Sequence, residues 1–225
     1  QTYPSLSGTA TARDFVEYPS QVNEMWATYP EVLQHYAKHY KTGETIPTAL
    51  VDKIKASSKF NQGYDFGEVL EAALLDMKWH ALSKDEAAAI DTPEKVTAYA
   101  DRSLSELGLE VALVPPRYRT TYFNHIFSGP TGYSAGYYSY LWTQMLDRDS
   151  RAWFLQNGGL TRENGDHYRD TVLSQGGTQD YGEMYRNFAG RDPDVKYMLI
   201  ALGLADEEPG TPEQTAEGTS DGRVD

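Results

Sequence analysis

Residues 64–82 read YDFGEVLEAALLDMKWHAL, and this stretch decides the fold class. Phe66, Val69, Leu70, Ala73, Leu74 and Met77 recur at the i, i+3, i+4, i+7 spacing that puts them on one face of an α-helix. No glycine or proline pair interrupts the run after Gly67. An amphipathic helix must bury its apolar face against something, so the neighbouring segments decide between a bundle and a helix on a sheet.

Outward from it, the same period recurs. Residues 13–40, RDFVEYPSQVNEMWATYPEVLQHYAKHY, turn helical from Asp14, with Pro19 and Pro30 at boundaries or first-turn positions. A turn at Gly43 and a short helix after Pro47 follow in TGETIPTALVDKIKASSKF, 42–60. Residues 91–109, DTPEKVTAYADRSLSELGL, open on a Thr-Pro-Glu helix start. A Pro-Pro break begins 114–127, VPPRYRTTYFNHIF, and a long helix is expected over 133–155. Asn157-Gly158-Gly159 stops it, Thr161 caps the next helix, and a last helix covers about 179–190. There is no internal repeat and no strand hairpin signal, so the expected class is mainly α, a multi-helix unit over residues 1–204. The tail 205–225 is acidic and rich in Pro, Gly, Ser and Thr, the composition of a disordered segment.

Composition excludes several functions. A net charge of −13 argues against non-specific nucleic-acid binding. The absence of cysteine removes disulfides, zinc-thiolate sites and thiol catalysis. No run approaches the ~18 apolar residues of a membrane span, and no signal peptide is visible. The chain opens on Gln1, an odd start for a translated protein, which suggests processing or a segment of something longer.

Four tyrosines stand within 133–140, just after His125. Tyr133, Tyr137 and Tyr140 are spaced four and three apart, on one face of the expected helix, while Tyr138, Leu141, Trp142 and Met145 lie on a more apolar one. Phenols are neutral donors at neutral pH, and several converging donors stabilise a developing oxyanion. An aromatic core stripe explains the same spacing and is the commoner arrangement. His125, across the turning segment IFSGPTG, could bond a substrate backbone; a lone histidine is more often structural. His35 and His39 have metal-chelating i, i+4 spacing, but position 36 is Tyr where H-E-x-x-H needs Glu, and a solvated helix end fits them better. His80 and His167 have no partner spacing. Asp14 and Glu17 share a helical face, and a carboxylate among apolar residues is paired or bound to metal.

Four segments together, SGTATARDFVEYPSQVNEMWA (7–27), FNQGYDFGEVLEAALLDMKWHAL (60–82), RYRTTYFNHIFSGPTGYSAGYYSYLWTQM (117–145) and NGGLTRENGDHYRDTVLSQGG (157–177), strongly resemble the thimet-oligopeptidase family of zinc metallopeptidases, and within it the bacterial dipeptidyl carboxypeptidases. The likeness runs from residue 1 to about 204. It implies a mostly helical, two-lobed, channel-containing enzyme that is monomeric when complete, acting on short peptides in the bacterial cytoplasm or periplasm. It implies Zn2+ held by two histidines of H-E-x-x-H and a downstream glutamate matching Glu17, the motif's own glutamate being the base. His125, Tyr133, Tyr137 and Tyr140 match substrate- and oxyanion-binding positions, with Tyr133 and Tyr140 foremost; Asp14 would be a partner orienting a ligand. No H-E-x-x-H occurs in the 225 residues. Two readings follow: one piece of a zinc dipeptidyl carboxypeptidase whose other piece carries H-E-x-x-H, or a non-catalytic helical peptide-binding fragment or pseudo-enzyme.

Overall fold

The computed structural model describes residues 1–111, 113–129 and 132–206. Eleven α-helices occur among them: α1 Tyr18–Glu24, α2 Pro30–Tyr36, α3 Thr48–Ser57, α4 Gln62–His80, α5 Lys84–Ala89, α6 Pro93–Glu106, α7 Asn124–Phe127, α8 Ser139–Gln156, α9 Arg162–Tyr168, α10 Tyr181–Ala189 and α11 Lys196–Ala201. A single antiparallel bridge, Lys38 to Thr45, is the one β-contact among the described residues. The expected mainly α class holds. Most of the proposed tail, 207–225, lies outside the described residues.

Local chemistry sets most boundaries. Pro19 and Pro30 stand in the first turns of α1 and α2, where a missing N–H costs nothing. Thr92, Thr161 and Asp180 accept backbone N–H bonds as N-caps of α6, α9 and α10. Gly158 and Gly159, at φ 90° and 80°, turn the chain out of α8 in the left-handed region open to glycine. α9 continues into a π-helical turn at Arg169–Leu173.

Two cores result. The larger joins Phe15, Tyr18, Val22, Leu146, Phe154, Tyr168, Met184 and Phe188, so that α1, α8, α9 and α10 share one apolar interior. The smaller joins Ala72 and Ala73 of α4 to Phe123, Ile126 and Tyr137. α8 touches both, since it packs on α1 and on α4.

Three expectations are corrected. The first helix begins at Tyr18, because 13–17 form turns that bury Phe15. The long helix begins at Ser139, not at residue 133, because Ala135 has a left-handed φ of 51° that no α-helix admits. On α4 the buried stripe is rotated: Leu75 is buried and Met77 is 45% exposed, with Asp76 drawn fully inside. Helices α5 and α11 were not anticipated; the first is short and rests on a capping box between Ser83 and Glu86.

Two buried acids on α8 differ in how they are satisfied. Asp149 takes a bidentate pair from Arg191 at 2.7 and 2.8 Å and the Tyr185 hydroxyl at 2.5 Å. Asp147 has one ion pair, Arg148 at 3.1 Å, and burial pushes its carboxyl up from 3.8 to about 7, with Glu24 adding repulsion and Arg148 and Arg151 opposing. A carboxyl whose folded pKa is raised takes up a proton on folding between the two values. Stability is therefore full below about pH 4 with respect to this group and falls as pH rises through 7, by on the order of a few kcal/mol. Asp147→Asn is expected to flatten that fall; urea midpoints at pH 5 and pH 8 that move equally in both proteins would contradict it.

Candidate active site

Glu17 stands at the N-terminal edge of α1, its carbonyl accepting from Gln21 N at 3.0 Å and Ser20 Oγ at 2.8 Å. Packing of α1 along α8 brings it beside the tyrosine turn that precedes α8. Tyr133 Oη donates to Glu17 Oε1 at 2.8 Å, across 116 positions of sequence. Among the described residues Glu17 Oε2 has a long contact, Ser20 Oγ at 3.5 Å.

The rings form one cluster. Tyr133 and Tyr140 stack at 5.3 Å with planes 15° apart. His125 lies 5.0 Å from the Tyr133 ring, and its Nε2 is 3.3 Å from Tyr140 Oη. His125 is exposed, Tyr133 and Tyr140 are half-buried, and Tyr137 is 8% exposed in the smaller core beneath them. Tyr137 thus supports the stack by an edge contact to Tyr140 at 5.0 Å. The three tyrosines that spacing alone places on one helical face are gathered instead by turns, with only Tyr140 inside α8.

The backbone holds this turn tightly to α7. Tyr133 N donates to His125 O at 2.9 Å and Ser134 Oγ to Ile126 O at 2.8 Å. A Cβ at position 132 would meet Ser128 Oγ and His125 O, so glycine there permits the approach. Arg13 lies over the Tyr133 ring, 4.6 Å from its centroid. Asp14 accepts from Tyr138 Oη at 2.9 Å. It ties the turn to the segment before α1.

Burial, then the neighbouring Tyr133 and the Glu17 charge, holds the Tyr140 phenol far above its usual range. Burial and Tyr118 do the same at Tyr137, and the bond to Asp14 raises the Tyr138 phenol. These phenols stay protonated, so they act as neutral donors at any working pH. An imidazole, two half-buried phenols and a carboxylate therefore converge on one face. That set can bind a polar backbone and donate to an oxygen that gains charge.

Among the described residues no group of three His, Cys, Asp or Glu side chains is placed to hold a metal ion. Glu17 fits a metal as one donor, since among the described residues its Oε2 is met by nothing closer than Ser20 Oγ at 3.5 Å. His35 and His39 do not pair: α2 ends at Tyr36, and His39 Nδ1 accepts from Thr42 N at 3.2 Å. His167 bonds Phe188 O at 2.9 Å. Sequence reading missed Asp76, His80 and Arg13. His80, expected to lack a partner, has Nδ1 2.7 Å from Asp76 Oδ1; the i, i+4 spacing in DMKWH was the available signal.

The helical fold agrees with what comparison of the chain shows. Residues 1–204 match Peptidase family M3, and the chain belongs to that family, as its four resembling segments imply. It is 48% identical over 204 residues to a dipeptidyl carboxypeptidase of Escherichia coli and equally to one of Salmonella typhimurium, covering 91% of this chain and 29% of each relative. It is 36% identical over 194 residues to oligopeptidase A of Escherichia coli, covering 85% of this chain and 27% of the relative. The chain thus spans under a third of the length of these relatives. None of the helices among the described residues is long and apolar enough to cross a membrane.

Proposed function

We propose that this chain is the C-terminal part of a zinc-dependent peptidase that releases dipeptides from the C-termini of short peptides. It would supply Glu17 as one zinc ligand and Tyr133, Tyr140 and His125 to the substrate, with Tyr137 beneath them and H-E-x-x-H on another piece of the enzyme. The observation that carries this reading is the meeting of Glu17 with Tyr133, and of Tyr140 with His125, within one ring cluster. The relatives' names, dipeptidyl carboxypeptidase and oligopeptidase, supply the reaction class.

When bound, zinc polarises the scissile carbonyl and activates water. The residues of this chain do the rest of what falls to it. The exposed His125 offers an imidazole to the peptide backbone. Tyr140 donates its phenolic proton in a hydrogen bond to the carbonyl oxygen as it gains charge, and Tyr133 does so by turning its one hydroxyl proton from Glu17 Oε1 to that oxygen. Glu17 holds its anionic oxygens at the edge of the same cluster. Asp14, in this arrangement, acts on the turn through Tyr138 rather than on an imidazole.

A companion piece also suits the surface. Leu50, Ile54, Phe60 and Tyr64, on α3, the turn after it and the start of α4, are each 47–76% exposed, large apolar side chains that a companion piece would cover. Purified by size exclusion with intact-mass and metal analysis, the chain is expected with H-E-x-x-H on a covalent remainder or bound polypeptide. One zinc per assembly is expected, and chelation should loosen the complex. A folded, zinc-free 25.2 kDa species that binds peptides without cleaving them would instead establish a binding module.

A further inference from the structure

Asp76 is a buried acid that the reaction assigned above does not use. It sits on α4, fully buried, far in sequence from both Glu17 and the tyrosines. Its carboxylate is nevertheless spent on the turn that carries them: Ala135 N donates to Oδ1 at 2.9 Å and Tyr137 N donates to Oδ2 at 2.8 Å. One helical turn later, His80 Nδ1 bonds the Asp76 backbone carbonyl at 3.0 Å and lies 2.7 Å from Oδ1. The His80 ring also rests against Phe127, 5.6 Å between centroids, two residues beyond His125.

We propose that Asp76, held by His80, is the positioning residue that fixes the tyrosine turn and so aims Tyr133 and Tyr140 in the reaction assigned above; the inference rests on that assignment. Three features support it. Ala135 occupies a left-handed φ of 51°, a conformation costly for any residue with a Cβ, and its own N–H is one of those Asp76 holds. The two amides flank Gly136, whose backbone must lie close to Arg13 for that guanidinium to cover Tyr133. A buried carboxylate with one backbone bond at each oxygen and an imidazole against it is satisfied at both oxygens, so its geometry is stiff. Asp76 touches neither Glu17 nor the reactive face, so its effect on the reaction would pass through the turn.

The experiment is Asp76→Asn in the assembled enzyme, with His80→Gln beside it. An amide has one acceptor oxygen where two backbone donors now take one carboxylate oxygen each, so one backbone N–H must lose its partner. Hydrogen exchange in a peptide spanning 132–140 is expected to rise about tenfold or more, given the strength of hydrogen bonds to charged groups, while α10 is unchanged. kcat is expected to fall about tenfold to a hundredfold with KM changed less. The loss should shrink in a Tyr140→Phe background, because a residue that acts through that phenol has less to lose there. His80→Gln, at a partly exposed position, should show the same pattern more weakly and serves if Asp76→Asn does not fold. Unchanged exchange over 132–140 in the folded variant, or equal losses of kcat with and without Tyr140, overturns the proposal. If Tyr133→Phe and Tyr140→Phe themselves leave kcat unchanged, it is the assignment of the site that fails, while the exchange result still reports on the clamp.

Discussion

Glu17→Gln is expected to remove most of the zinc from the assembled enzyme and to lower kcat by more than about a hundredfold. Loss of a group one shell away from a metal already costs up to about a hundredfold, and Glu17 is proposed to bind directly. The substitution is mild in every other respect. Glutamine keeps an oxygen where Tyr133 Oη now donates at 2.8 Å, and the α1 bonds to the Glu17 main-chain carbonyl do not involve its side chain. The thermal midpoint should therefore move little. Metal content by mass spectrometry and kcat on a short peptide check this together. Retention of both would return Glu17 to the role of a partner for Tyr133 and nothing more.

The second large effect is expected at Tyr140. Phenylalanine there keeps the stack on Tyr133 and the edge contact with Tyr137, so the ring cluster survives. What is lost is the hydroxyl, now 3.3 Å from His125 Nε2. Removing one donor to a developing oxyanion costs about 10²–10³ in kcat. KM should change less, since the bond gains most of its strength as charge develops. Tyr133→Phe is expected to act on kcat too, but it also frees Glu17 Oε1, so its effect mixes substrate and carboxylate. Equal kcat in both variants and the parent would make the four phenols of 133–140 an aromatic packing motif.

The mainly α class was legible because α4 and α6 carry strong local signals: helical apolar spacing in one, a Thr-Pro-Glu start in the other. The caps at Thr161 and Asp180 were readable in principle for the same reason, each being made within three residues. The tyrosine turn was not. Its 4 and 3 spacing imitates a helix, and the left-handed Ala135 that breaks it is met by tertiary partners, its N–H by Asp76 and its neighbours by His125 O and Ile126 O. Asp76 itself lies off the apolar stripe that periodicity marks on α4, and its burial makes sense only once the amides of Ala135 and Tyr137 are placed beside it. Glu17, His125 and the tyrosines were nameable from resemblance to the family. That Glu17 accepts from Tyr133, and that Asp14 is spent on Tyr138, depends on how α1 packs on α8 and could not be read from spacing.

The central claim is that Glu17 binds a metal shared with residues outside this chain. A zinc-edge anomalous diffraction map of the assembled, zinc-loaded enzyme tests it most directly. The expected result is one zinc beside the Tyr133–Tyr140 cluster, with a Glu17 oxygen at about 2.0–2.2 Å and two imidazoles contributed by the H-E-x-x-H piece. Zinc absent from that face, or bound there without Glu17, would contradict the claim.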